Sequence, residues 1–133
     1  MPDAHCACGA LTVSIAAYSP AVVICHCTAC RRRSGSSFGV GMYVPIGSVA
    51  ITGPHSEFAR TAASGGMFRN QFCPTCGSTV FWMTDKHPGA IGIAYGAFAT
   101  DDLPPPVRSV WEEGAHDWVS LPASIQHFRQ GRP

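Results

Sequence analysis

Seven cysteines in three tight groups are the residues of this sequence best suited to chemistry. The groups read Cys6-Ala7-Cys8-Gly9, Cys25-His26-Cys27-Thr28-Ala29-Cys30 and Cys73-Pro74-Thr75-Cys76-Gly77. Thiolates two or three positions apart converge on one tetrahedral metal ion when the turn between them is tight, and proline and glycine favour such turns. The odd number excludes complete disulfide pairing, and the clustering favours metal binding in a reducing compartment.

The spacing predicts two zinc sites. The first and third groups each end with a glycine after the second cysteine, so we expect these half-sites to form one closed structural site from Cys6, Cys8, Cys73 and Cys76. Such a zinc would join the N-terminal strand to the middle of the chain and add folding free energy. The second group supplies three ligands, and an open fourth position is typical of catalytic zinc. Its candidate catalytic residues are Cys25, Cys27 and Cys30.

Three alternatives remain open at this point. Cys27 and Cys30 could combine with Cys73 and Cys76 into a zinc ribbon, which would leave three cysteines unused. The second group could instead be a structural site closed by His26 or another histidine. A CxxC motif with a following glycine also occurs in redox proteins, but no βαβ pattern surrounds it here.

The basic run Arg31-Arg32-Arg33 follows the second group directly. Guanidinium groups bind carboxylates through paired hydrogen bonds, so these arginines are candidates to bind an anionic substrate beside the metal. Ser34 and Gly35 could add hydroxyl and backbone donors. The competing interpretation is an ordinary solvated surface.

Composition restricts the classes of function. The chain has 133 residues, 46% of them hydrophobic and 13% charged, which indicates one folded core and excludes a disordered protein. A net charge of +1 and a single lysine, Lys86, argue against nucleic-acid binding. No segment has the roughly 18 apolar residues of a membrane span, and the start lacks the basic region of a signal peptide. We therefore expect a cytoplasmic protein with no membrane contact. The sequence does not indicate which oligomeric state the protein has.

Short β-branched and aromatic runs between frequent glycines and prolines predict a mainly β fold with short helical turns. The expected strands are Leu11–Ile15, Ala21–Cys25, Ser37–Val44, Val49–Thr52, Met67–Phe72, Thr79–Met83, Ile91–Phe98 and, more weakly, Val107–Trp111. The expected helical turns are Thr28–Ser34 and Pro122–Phe128, the latter after an N-cap at Ser120.

The chain is predicted to be one domain over residues 1–133. Its core would span about residues 5–100, and a tail at 107–128 would follow the stiff Pro104-Pro105-Pro106 segment. We expect the tail to pack back on the core because it carries large apolar residues that need burial, namely Trp111, Trp118, Leu121, Ile125 and Phe128.

The order CxCG, CHCxxCRRxSG and FCxxCGS, followed by an apolar strand, resembles the glutathione-dependent formaldehyde-activating enzyme family, which also contains the centromere protein V-type domain. The resemblance runs from Cys6 to Phe98. It implies a β-tent fold of several small coiled sheets, a structural zinc and a second zinc at the two sets of cysteines given above.

The same resemblance implies an activity. A thiol such as glutathione would add to formaldehyde in a carbon–sulfur bond-forming step classed with the lyases. The alternative is a non-catalytic, zinc-stabilised binding module with two structural zinc sites.

Overall fold

A computed structural model describes residues 2–133, whose strands form two sheets. The elements are β1 (Asp3–His5), β2 (Thr12–Ile15), β3 (Val22–Cys25), α1 (Thr28–Ser34), β4 (Gly39–Pro45), β5 (Val49–Thr52), β6 (Ser56–Thr61), β7 (Met67–Phe72), β8 (Thr79–Thr84), β9 (Ala90–Ala94), β10 (Arg108–Val110) and β11 (Gln126–His127). Short 3₁₀ turns lie at Ile46–Ser48, Tyr95–Phe98 and Glu112–Gly114. The small sheet has the order β1-β2-β5 and the large one β11-β10-β3-β4-β9-β8-β7-β6. The predicted mainly β class with short helical turns is confirmed.

Strand register gives the large sheet two different faces, because side chains alternate along a strand and paired residues share a side. On the core face Val22 pairs with Met42, Met42 with Ile93, and Ile93 with Phe81. These side chains are fully buried or nearly so, and they pack with Val13 of the small sheet in one hydrophobic cluster. The core therefore lies between the two sheets.

The opposite face of the large sheet carries the residues of the candidate site. Three rows of paired residues lie on this face. Cys25 pairs with Gly39 and Val110, and Val23 pairs with Gly41 and Arg108. In the third row, Gly92 pairs with Tyr43 on one side and with Trp82 on the other. A Cβ at Gly41 or Gly92 would collide with the Trp82 ring. The indole can therefore lie against the sheet only because these positions have no side chain.

Most predicted strands agree with the structure, but the prediction missed β1 and β6. The run Ile91–Phe98 divides into β9 and a 3₁₀ turn. The helix predicted over Pro122–Phe128 is wrong, because this segment forms turns followed by β11. The Gln126 N–H donates to the Val107 carbonyl at 3.1 Å, so pairing with the β10 region replaces helical hydrogen bonds.

The C-terminal segment 126–132 forms backbone hydrogen bonds with β10 and the residues next to it. β11 pairs in parallel with β10, which itself pairs in parallel with β3. The Trp111 N–H donates to the Gln130 carbonyl at 3.0 Å, and the Glu112 N–H donates to the Phe128 carbonyl at 3.1 Å. Trp118, by contrast, is 73% exposed. In the described residues no helix is long and apolar enough to span a membrane.

An ion pair at His127 links this segment to the 3₁₀ turn after β10. His127 Nδ1 lies 2.6 Å from Glu112 Oε2, and His127 Nε2 lies 3.0 Å from the Pro122 carbonyl. Both partners are acceptors, so an imidazolium that donates from both nitrogens fits this geometry best. The hydrogen bond to Glu112 raises the pKa of His127. Burial opposes ionisation of Glu112, yet hydrogen bonds from His127 and Ser109 hold its pKa below the ordinary value.

Replacing His127 with Gln should remove a pH-dependent part of the stability. A group with a raised folded pKa stabilises fully below its unfolded pKa, here the ordinary 6.5, and loses that contribution as pH rises through the folded pKa. The Tm difference between the wild type and His127→Gln or Glu112→Gln should therefore shrink as pH rises through this window, whatever the direction of the wild-type Tm, because burial lowers the pKa values of His26 and His87 and gives them the opposite pH dependence. His55→Gln, at an exposed histidine without an ion pair, is the control. Equal slopes in all four proteins would contradict the assignment.

Gly92→Ala should destabilise the fold by about 1–3 kcal/mol, because the new methyl group overlaps the Trp82 ring. The matched control is Gly47→Ala, where a Cβ meets nothing within 4 Å. Urea unfolding of both variants measures the difference. A Gly92→Ala variant as stable as Gly47→Ala would show that the indole does not rest on β9.

Candidate metal centres

Four cysteine sulfurs from distant parts of the sequence meet beside the small sheet. The Sγ atoms of Cys6, Cys8, Cys73 and Cys76 all lie within 4.8 Å of one another. Cys8 Sγ is 3.6 Å from Cys6 Sγ and 3.7 Å from Cys73 Sγ. We call this group the sulfur quartet. Its size and all-sulfur composition fit a closed tetrahedral metal site.

Two tight turns position the quartet. The Gly9 N–H donates to the Cys6 carbonyl at 3.0 Å, and the Gly77 N–H donates to the Cys73 carbonyl at 2.8 Å. Gly9 has φ 82° and Gly77 has φ 79°, a left-handed conformation that glycine adopts without steric cost. Each glycine therefore lets the chain turn directly after a pair of cysteines.

Hydrogen bonds prepare two quartet sulfurs for the thiolate form. The Leu11 N–H donates to Cys6 Sγ at 3.3 Å and lowers the pKa of Cys6. Ser78 Oγ lies 3.3 Å from Cys76 Sγ, and hydrogen bonding by Ser78 lowers the pKa of Cys76 to about 5. Deprotonated sulfur is the form that binds metal.

A second group, the sulfur triplet, lies at the junction of β3 and α1. The Sγ atoms of Cys25, Cys27 and Cys30 are within 4.8 Å of one another. Cys25 ends β3, Cys27 is the N-cap of α1, and Cys30 lies in the first helical turn. The Cys30 N–H donates to Cys27 Sγ at 3.4 Å, so the cap hydrogen bond holds two of the three sulfurs together.

The triplet sulfurs share protons. Hydrogen bonds from Cys25 and Cys30 lower the pKa of Cys27 to about 2. Hydrogen bonding to Cys27 and Cys30 favours the protonated form of Cys25 and raises its pKa. The pKa of Cys30 is also raised, because Cys27 and burial outweigh the lowering effect of Cys25. One thiolate is thus stable by itself, and a bound dication would have to displace the other protons.

The structure separates the alternative ligand sets. Among residues 2–133 no further Cys, His, Asp or Glu joins either group. His26 is fully buried with Nε2 2.8 Å from Ser109 Oγ, so it does not close the triplet. Cys27 and Cys30 belong to a different group from Cys73 and Cys76, which does not support the zinc ribbon.

The triplet opens on a cleft of about 350 Å³ along the site face of the large sheet. Arg33 and Arg60 flank the triplet end of this cleft. Arg33 Cζ lies 4.3 Å from the centre of the Trp82 ring, and Arg60 Cζ lies 4.3 Å from that of Phe68. The two rings stack at 5.7 Å between centroids. Aromatic faces rather than carboxylates thus hold both guanidinium groups, which leaves N–H donors for a ligand.

Further cations line the rest of the cleft, namely Lys86, Arg108 and Arg132. Of the residues that the structure describes, no Asp or Glu lines it, and none of the five cations forms a salt bridge. A concave surface with cations but no acidic side chains attracts anions.

A family model described as glutathione-dependent formaldehyde-activating enzyme matches residues 1–114. The chain belongs to this formaldehyde-activating family. No curated protein matches it. The crystal structure of a Rhodobacter sphaeroides protein is similar with a TM-score of 0.58 and 18% sequence identity, over 77% of this chain and 91% of that one. At this identity the likeness shows the fold alone.

The predicted substrate-binding residues of this family member do not all reach the cleft. Arg33 lines it, whereas Arg31 does not; Arg31 Nη1 lies 2.9 Å from His116 Nε2. Arg32 and Ser34 are exposed, and Gly35 caps α1 in a left-handed conformation. The helical turn separates neighbouring side chains by about 100°, so three consecutive arginines cannot face one site. Sequence reasoning missed Arg60, Arg108 and Arg132, which no local motif marks.

The two groups should respond differently to loss of one cysteine. Metal analysis of the wild type should give about two ions per chain, one for each group of sulfurs. Cys27→Ala should lower this to about one and keep the native circular dichroism, since the quartet is untouched. Cys73→Ala removes a fully buried sulfur that joins segments 65 residues apart, so it should lose the cooperative fold. Unfolding of Cys27→Ala with a stable Cys73→Ala would reverse the two assignments.

Proposed function

We propose that the protein is a zinc-dependent, carbon–sulfur lyase-type enzyme that joins an anionic thiol such as glutathione to a small aldehyde. One observation carries the proposal: a three-sulfur group with an open side lies at the end of a cleft that has five cations and no acidic side chain among the described residues. Family membership favours the same reaction.

Zinc is the proposed metal at both groups. Thiolates are soft ligands, and a set of three or four sulfurs suits zinc better than magnesium or calcium. The quartet would bind a structural ion, and the triplet would bind one that keeps a free position. Zinc bound there would supply a Lewis acid that favours the deprotonated form of an incoming thiol and polarises a carbonyl oxygen.

Arg33 is the residue best placed to act beside the triplet. A Cβ built on Gly39 would meet both the Arg33 guanidinium and Cys30 Cβ, so the charge lies close to the sulfurs. Arg33 also acts on the pKa of Cys30, and Arg60 acts on that of Cys27, each in the lowering direction. These cations would bind a substrate carboxylate or stabilise the charge that develops on the aldehyde oxygen.

The proposed reaction balances without a further reagent. The thiol sulfur forms a bond to the aldehyde carbon, the carbonyl π bond breaks, and the thiol proton ends on the former carbonyl oxygen. The product is an S-hydroxymethyl thioether when the aldehyde is formaldehyde. The thiolate ligands need reducing conditions, which supports a cytoplasmic location. We also propose that the chain acts as one domain, in which the C-terminal segment completes the cleft.

A non-catalytic binding module with two structural zinc sites is the second candidate. It is favoured by the lack of an Asp or Glu lining the cleft in the described part of the chain, since no acidic side chain is available there for proton transfer.

The rate of S-hydroxymethyl adduct formation, measured by NMR with ¹³C-formaldehyde and glutathione, separates the two. The zinc-loaded protein should exceed the uncatalysed rate. Arg33→Gln should lower kcat/KM roughly 10²-fold, the scale of losing one charge-stabilising donor. Arg69→Gln, an exposed arginine paired with Glu57, should leave the rate unchanged. A fully loaded protein with no excess rate would favour the binding module, and equal losses in both variants would remove Arg33 from the mechanism.

A further inference from the structure

We propose that Lys86, Arg108 and Arg132 form a second anion subsite, which binds a carboxylate or phosphate at the end of the substrate opposite its thiol. We call these residues the distal cations. The inference rests on the proposed function, because it takes the sulfur triplet as the place where the substrate thiol binds.

Strand register sets the distance between the two ends. Arg108 pairs with Val23, and Val110 pairs with Cys25, all on the face that forms the cleft. Two residues along a strand span about 7 Å, so the Arg108 backbone lies roughly that far beyond the triplet. A thiol with an acidic group several bonds away from its sulfur can therefore contact both ends at once.

No Asp or Glu of the described residues forms a salt bridge with any of the distal cations. Arg108 Nε is buried and has no hydrogen-bond partner. Lys86 Nζ donates to the Arg132 carbonyl at 2.6 Å, which brings the lysine to the C-terminal segment without cancelling its charge. Burial, with Arg108, Lys86 and Arg132 nearby, lowers the pKa of His87. Several like charges around one end of a cleft are costly unless an anion joins them.

Neutral side chains complete the subsite. The Tyr43 ring lies 4.4 Å from the His87 ring, and the Tyr43 hydroxyl accepts a hydrogen bond from Trp82 Nε1 at 3.1 Å. Burial raises the pKa of Tyr43 to about 12, so its hydroxyl keeps its proton. Tyr43 thus offers an O–H donor beside the cations, which also suits an anionic oxygen.

Arg132 comes from a part of the chain outside the family match, which ends at residue 114. Hydrogen bonds of the 126–132 segment to the β10 region bring Gly131 against the Trp111 ring and Arg132 to the cleft. The family model therefore accounts for the sulfur triplet but not for this cation. Selectivity for the far end of the substrate would depend on a segment that lies outside the family match.

Two thiols of equal length test the proposal: 6-mercaptohexanoate, which ends in a carboxylate, and 6-mercaptohexanol, which does not. Cobalt-loaded protein is titrated with each, and the cobalt–thiolate absorption reports binding of the sulfur. Wild-type protein should bind the acid about tenfold more tightly than the alcohol, the effect of one charge-assisted contact. 6-Mercaptohexyl phosphate, the third probe, shows whether phosphate binds better than carboxylate.

Variants assign that preference to residues. Arg132→Ala and Arg108→Gln should each reduce the ratio between acid and alcohol at least threefold, while the affinity for the alcohol stays constant. Arg129→Ala is the matched control, because Arg129 lies in the same segment, is exposed and pairs with Glu113. An unchanged ratio in both test variants would overturn the subsite. If neither thiol alters the cobalt spectrum of the wild type, the proposed function fails instead.

Discussion

The crowding of sulfur atoms in two small groups governs the electrostatics of this protein. Three thiols within 4.8 Å of one another cannot all ionise without a positive charge close by. The lowered pKa of Cys27 and the raised pKa of Cys25 express this, since the first thiolate keeps the other protons in place. Arg33 and Arg60 supply part of the missing charge, and the proposed zinc supplies the rest. A cationic cleft next to the triplet is therefore an electrostatic requirement as well as a binding surface.

The two sulfur groups differ in how much the stability of the fold depends on each of them. The quartet joins the turn after β1 to the turn between β7 and β8, two segments that lie far apart in the sequence. A structural zinc contributes about 10–16 kcal/mol in small peptides, which is as large as the whole net stability of most domains. The triplet, by contrast, spans a single strand-to-helix junction that backbone hydrogen bonds already hold. The open coordination position proposed for the triplet therefore need not weaken the fold.

The sequence correctly predicts those features of the fold and site that depend on residues close together in the chain. The cysteine spacing and the glycines after Cys8 and Cys76 gave the correct division into quartet and triplet, and Thr28–Ser34 is the predicted helix. Cross-strand register could not be predicted in this way, since it depends on pairing between distant segments. Arg60 and Arg108 reach the cleft through that register alone. The same cause explains the helix wrongly predicted near the C-terminus, where pairing with β10 prevails over local propensity.

The net charge of the cleft limits what it can bind. Three thiolates and one divalent ion would leave a single negative charge, which five cations exceed. The aromatic rings of Trp82 and Phe68 stabilise the positive charges of Arg33 and Arg60, which stack on them. Solvent screens the charges of Lys86 and Arg132, which are exposed. The half-buried Arg108 is stabilised in neither of these two ways. A ligand with a single carboxylate near the metal would therefore still leave Arg108 without an anionic partner. A substrate that carries a second negative charge several bonds from its sulfur can contact both ends of the cleft, whereas a neutral thiol contacts only the metal end.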